Sequence, residues 1–197
     1  MRYVSYIVGI VLGLALVAVG IFLFSSGSFD GAPDTLWDLP NSLSGDVSLS
    51  ESANTAPVEP TPPEGYVEYR NERYGFRLFH PPQVAIKEYD EGEGAMTIVF
   101  EDKEVARGFQ IFVVPYAGTT VTEERFKADV PSGVRTNVAE INLGTSGIKG
   151  VAFDSVDEFL GETRETWFIH NGRLFEVTTV RGFSDWLAPL LETWRFL

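Results

Sequence analysis

The 197-residue sequence has no cysteine and only two histidines. No disulfide, thiol nucleophile, Cys-type zinc site or N-terminal lipoprotein cysteine can therefore form. Basic residues are also scarce: 15 Lys+Arg stand against 28 Asp+Glu, a formal net charge of −13. Phosphate recognition needs concentrated Lys/Arg, so this balance argues against nucleic acid as a main partner. It argues equally against a polybasic clamp on anionic lipid. No Gly-x-Ser-x-Gly elbow, His-Glu-x-x-His pair or Walker loop occurs.

Charge is missing altogether from Tyr3 to Phe24, a run of 22 residues. At the helical rise it spans roughly 33 Å, enough for a hydrocarbon core of about 30 Å. A cleaved signal peptide would have a shorter apolar region ending in a small-x-small site, and Phe24-Ser25-Ser26-Gly27-Ser28 matches such a site poorly. Residues 1–24 therefore read as a transmembrane signal anchor, the membrane being the first expected partner. Arg2 precedes the run and no Lys or Arg occurs from Ser25 to Tyr69. The positive-inside rule then puts the N-terminus in the cytoplasm and the rest outside. Ser5, Gly9 and Gly13 form a small-xxx-small ladder, with Gly20 near the same face. Such a ladder lets two helices pack closely and self-associate, although apolar spans carry small residues by composition as well.

Residues 25–65 hold eight Ser, six Pro, four Gly and seven acids without a base. That composition buries too little apolar surface to offset ordering entropy, and it reads as a disordered acidic linker. One island interrupts it. Leu36, Trp37 and Leu39, set between acids, form either a helical turn that docks on a protein partner or an incidental apolar patch.

Residues 66–197 are enough for one domain with its own core. Short alternating runs predict strands over Val67–Arg70, Gly75–His80, Val84–Tyr89, Ala95–Phe100 and Gly108–Tyr116, with a turn over Asp90–Gly94. Gly108–Tyr116 is apolar on both faces, which predicts a central strand covered on both sides. Thr122 caps a short predicted helix ending at Asp129. Ala139–Leu143 and Ile148–Asp157 follow as strands. Arg164–His170 and Arg173–Val180 flank Asn171-Gly172, the strongest two-residue hairpin signal. Ser184–Trp194 reads as a terminal helix with Trp186, Leu187, Leu190, Leu191 and Trp194 toward the sheet. The fold class is α+β: an antiparallel sheet with helices on its faces, behind one N-terminal transmembrane helix.

Tyr69-Arg70-Asn71-Glu72-Arg73-Tyr74-Gly75-Phe76-Arg77-Leu78-Phe79-His80-Pro81 resembles the opening of PsbP-like and DcrB-like domains. Asn171-Gly172-Arg173-Leu174-Phe175-Glu176-Val177 and the closing Trp194-Arg195-Phe196 are similar to that group too. The resemblance covers residues 66–197 and implies an antiparallel sheet sandwiched between helices in an extracytoplasmic setting. The chain departs from the pattern after Pro81, where Gln83-Val84 replaces an aromatic. Photosynthetic members of the group are soluble lumenal proteins, an arrangement that the anchor and linker do not match. No binding residue of the group maps onto a position in this chain.

Candidate chemistry is thin. His80 and His170 lie at predicted strand ends, where a structural role is the simpler reading. Asp90, Glu91 and Glu93 share one turn, while Asp154, Asp157, Glu158 and Glu162 border another; neither matches a calcium loop. The residues therefore point to no catalytic, metal or cofactor site, and the chain reads as a non-enzymatic, protein-binding or envelope-assembly module. The alternatives are a small-ligand sensor or carrier, which would show a largely apolar cavity, and an enzyme built on scattered carboxylates, which would show a polar cleft with shifted pKa values. The topology makes a direct prediction. Protease added to spheroplasts should release a fragment beginning near residue 66, whereas full protection of the C-terminal domain would reverse the orientation.

Overall fold

The computed structural model describes residues 61–144 and 147–197. The anchor with Ser5, Gly9, Gly13 and Gly20, the docking island of Leu36, Trp37 and Leu39, and the linker up to residue 60 lie outside the described residues. Among the described residues, no helix is long and apolar enough to cross a membrane.

Among the described residues, ten strands and two short α-helices follow one another: β1 (Val67–Asn71), β2 (Phe76–His80), β3 (Ala85–Gly92), β4 (Ala95–Asp102), β5 (Arg107–Pro115), α1 (Glu123–Asp129), β6 (Thr136–Leu143), β7 (Ile148–Asp157), β8 (Gly161–His170), β9 (Arg173–Val180), α2 (Ser184–Glu192) and β10 (Arg195–Phe196). Seven strands form one antiparallel sheet in the order β3-β4-β5-β9-β8-β7-β6, and β1-β2-β10 form a second, small one. β5 is central, as its two apolar faces require. Asn171 (φ 46°) and Gly172 (φ 72°) both take positive φ, the geometry that a two-residue hairpin between β8 and β9 demands.

The first face of the large sheet carries the main core. Phe100, Phe109, Ile111, Phe168, Phe175 and Val177 are buried there against Tyr69, Phe76 and Leu78 of the small sheet and Leu187 and Leu190 of α2. The large sheet does lie between two helices, with the terminal one on this face and the short Glu123–Asp129 helix on the other, but helices are not its main cover here. A second sheet supplies much of the cover on this side, and the helices are only seven and nine residues long.

The terminal helix is also shorter than predicted. It stops at Glu192, and Trp194 lies beyond it in the link to β10. The Thr193 hydroxyl marks the stop. It donates to the Leu190 carbonyl at 2.6 Å and accepts from the Phe79 amide at 2.8 Å, tying the helix end to β2. Trp194 is fully buried and stacks on Phe76 at 4.3 Å, with the rings 7° apart. Trp186 and Leu191, expected toward the sheet, are only partly buried. Near the other edge, the predicted turn over Asp90–Gly94 shrinks to Glu93 and Gly94, because β3 runs on through a bulge to Gly92.

The motif behind the family resemblance is structural. Asn71 is buried; its Oδ1 accepts from the Tyr74 amide at 2.9 Å and its Nδ2 donates to the Tyr69 hydroxyl at 2.8 Å. Tyr69 in turn donates to Glu88 of β3 at 2.6 Å, linking the small sheet to the edge of the large one.

Replacing a buried Trp costs about 3–5 kcal/mol, a large share of a domain stability of about 5–15 kcal/mol. Trp194→Ala should therefore largely unfold the domain in urea melts, while Val105→Ala on an exposed turn should move stability by less than about 0.5 kcal/mol.

Candidate functional cleft

The second face of the large sheet is only partly covered. Thr122 caps α1 through its side chain, which accepts from the Arg125 amide, and Glu123 and Glu124 sit in the first turn. From this helix Phe126, with Val130 just beyond it, packs on Phe153, Trp167 and Leu174. Strand alternation sends two cross-strand rows to the same face. Phe112, Glu176 and Trp167 form one; Gln110, Thr178 and Glu165 form the next. Alongside α1 the face opens into a cleft of about 470 Å³. Val130, Pro131 and Ser132 make one wall, and the end of β7 with the turn after it, Val156 to Leu160, makes another. The Asp157 carboxylate shapes that turn by accepting from the Phe159 and Leu160 amides, each at 2.8 Å.

Two glutamates are buried at this cleft. Glu165 accepts from the Thr178 hydroxyl at 2.7 Å and from the Trp167 indole at 3.3 Å. Burial nonetheless pushes its carboxyl above the ordinary range, because desolvation outweighs these hydrogen bonds. Glu176 is pushed up further, first by burial and then by the charge of Asp129 and a hydrogen bond to it; Arg125 opposes the shift. Burial raises Asp129 as well, against the hydrogen bond with Glu176 and the pull of Arg125. Arg125 closes the cluster, ion-paired with Asp129 and 3.4 Å from Glu176.

The acidic residues singled out in the sequence are divided. Glu91, Asp157 and Glu158 come from different predicted turns yet line the same cleft. Asp154 does not join them. It binds Asn137 at 2.6 Å and Arg164 at 3.0 Å, with Arg181 at 3.4 Å, and these partners hold its carboxyl below the usual range. Asp90 pairs with Arg73, and Glu162 with Arg181. Neither histidine lines the cleft. His80 is buried edge-on to Phe100 with Nδ1 2.9 Å from the Pro81 carbonyl, and His170 stacks on Phe196 at 3.7 Å. Among the described residues, no three His, Asp or Glu side chains are grouped to hold a metal ion.

Sequence reasoning missed Glu165 and Glu176. Their signal was a glutamate in each strand of the Asn171-Gly172 hairpin, at positions that the register makes diagonal neighbours on one face. Alternation alone gave that face, but not its burial.

The fold belongs to the class of antiparallel α+β domains with a large sheet backed by a small one. No family model and no curated protein matches the sequence. Among solved structures, the chain is similar to cyanobacterial PsbP (CyanoP) from Synechocystis sp. PCC 6803. That match has a TM-score of 0.49 at 11% identity and covers 74% of this chain and 98% of that one. It is also similar to a protein from Bacteroides thetaiotaomicron VPI-5482, with a TM-score of 0.42 at 17% identity, covering 66% of this chain and 48% of that one. Both likenesses concern the outline of the fold, and no role is carried over from either protein.

A raised carboxyl pKa has a definite consequence for stability. The folded state binds these protons more tightly than the unfolded chain, so the stability they contribute is full below the unfolded carboxyl pKa and is lost as pH rises through the folded value. Glu165→Gln abolishes the ionisation. The variant should gain stability relative to the parent between about pH 5 and about pH 8, read as urea midpoints at both ends. An unchanged difference across that range would contradict the burial of a titrating Glu165.

Proposed function

We propose that this chain is a membrane-tethered, extracytoplasmic binding module whose second-face cleft receives a small ligand. The observation that carries the reading is the cleft itself. It measures about 470 Å³ and combines apolar surface from Phe112, Val156, Phe159 and Leu160 with numerous polar side chains, carboxyls foremost. Small-molecule sites have this size, a range of roughly 300–1,000 Å³. The tether is supported by the charge-free run from Tyr3 to Phe24, and the outward orientation by the base-free stretch after it.

Binding is favoured over catalysis by the company that the polar groups keep. Glu165 is engaged by Thr178 and Trp167, and Glu176 by Asp129 and Arg125. Both histidines, the chain's ordinary general bases near neutral pH, lie away from the cleft. A protein-docking role on the same face has one observation behind it: Val156 and Phe159, both exposed, stand together on the cleft rim.

A thermal-shift screen of the full-length protein in detergent against small amphipathic molecules tests the reading. A ligand present at 100 times its Kd adds about 2.7 kcal/mol of stability. Hits should stabilise the parent and lose most of that effect in Phe112→Ala, which strips one wall of the cleft. Hits that stabilise both proteins equally would place binding elsewhere.

A further inference from the structure

We infer that the free edge of β6 takes up an extended, basic segment of another protein, which joins the large sheet as an added strand. This edge is separate from the small-ligand cleft, which opens on the other face. β6 ends the sheet and pairs only with β7. Among the described residues, no backbone group of Ala139–Leu143 bonds to backbone outside that ladder. An edge strand directs alternate N–H and C=O groups outward, which makes it a template for a further strand.

Proteins blunt such edges with charge and bulges, and the two edges of this sheet differ in that respect. β3, at the far side, carries Lys87, Glu88, Asp90 and Glu91 and a bulge between Asp90 and Gly92. β6 has Glu140 as its one charged residue, and its irregularity lies at the start, between Thr136 and Ala139. From Ala139 to Leu143 the strand is regular.

A groove of about 380 Å³ runs beside that stretch, at the margin of the first face. Ile141, Leu143 and Ala152 line it from the sheet, and Leu187, Ala188 and Leu191 line it from α2. An apolar groove along a free sheet edge is the setting for strand addition: main-chain bonds supply affinity, and alternate side chains enter pockets. Alternation puts Ile141 and Leu143 on the groove side and Glu140 on the opposite side. An added strand therefore meets apolar surface with one set of side chains and the Glu140 carboxylate with the other.

Charge decides the second set. Arg164, the one base in the groove lining, is held by Asp154. Asp185 and Glu192, near the two ends of α2, line the groove, and Glu140 is exposed on β6. These three carboxylates enter no ion pair among the described residues. Opposite charges facing each other across strands favour pairing, and like charges oppose it. The occupant is thus an extended segment with apolar residues at alternate positions and Lys or Arg between them. A second copy of this chain is disfavoured, because two chains of formal net charge −13 repel each other.

Isothermal titration of the full-length protein in detergent with N-acetyl-Lys-Val-Lys-Ile-Lys-Val-Lys-amide tests this. Three further peptides keep its length: one with Glu for every Lys, and two N-methylated, at either the apolar or the Lys amides. Alternate amides of a strand point to opposite sides, so one methylated peptide should lose at least about tenfold in affinity while the other binds like the parent peptide. The Glu peptide should bind at least about tenfold more weakly than the Lys peptide. Ala188→Arg, at an exposed position of α2 that lines the groove, should weaken the Lys peptide by about tenfold or more. Glu140→Lys should narrow the gap between the Lys and Glu peptides. Equal binding of the two methylated peptides would show charge attraction without strand addition and overturn the inference. Binding untouched by Ala188→Arg would overturn it too, as would no binding of the Lys peptide up to about 1 mM, an affinity weaker than ~4 kcal/mol. A dimer of the unliganded protein in sedimentation that Ala188→Arg dissociates would give the edge to a second copy, again against the inference.

Discussion

The stack of Trp194 on Phe76 fixes how the two sheets meet. Phe76 belongs to the central strand of the small sheet, and Trp194 leads directly into its last strand. Both rings also lie edge-on to Phe175 of β9, in the middle of the large sheet. One cluster of three aromatic rings therefore joins the C-terminal segment, the small sheet and the centre of the large one. With Tyr69 edge-on to Phe100 at 5.1 Å, it closes the first face of the large sheet. The stability of the domain is concentrated there, in contacts between residues far apart in sequence.

That concentration leaves the second face free for other work. Its only helical cover among the described residues is α1, seven residues long, which seals the area around Phe126, Phe153 and Trp167. Glu165 and Glu176 sit at the boundary between sealed and open surface. Such a position is costly for a carboxyl group, since burial disfavours its charge and only partial compensation is on hand. Ionisable groups buried in a concave site at such a cost mark it as a candidate functional site.

Much of the strand plan was legible because alternation and turn chemistry are local. Ile148–Asp157 and Arg173–Val180 match the predicted bounds to the residue, and the Asn171-Gly172 hairpin and the Thr122 cap are where the sequence put them. Trp194 escaped because spacings of four residues suit a helix, whereas Thr193 ends the helix through a hydrogen bond to β2 that no local pattern announces. The cleft escaped for a related reason. Alternation tells which face a side chain takes but not what covers that face, and much of the cover over Glu165 and Glu176 comes from α1, an element distant in sequence. The acidic turns were read as separate clusters. Only the folded sheet brings Glu91 to the same cleft as Asp157 and Glu158 and sends Asp154 to a separate ion-pair cluster with Arg164 and Arg181.

The central claim is that the two faces of one sheet are divided between stability and binding. Amide and side-chain NMR shifts of the isotope-labelled protein, recorded while a small molecule that stabilises it in the thermal-shift screen is added, test it most directly. The account predicts saturable changes at Phe112, Thr163, Glu165, Trp167 and Glu176, with Phe76, Phe100 and Trp194 unmoved. Changes centred on the small sheet and α2, or spread evenly over both faces, would contradict it.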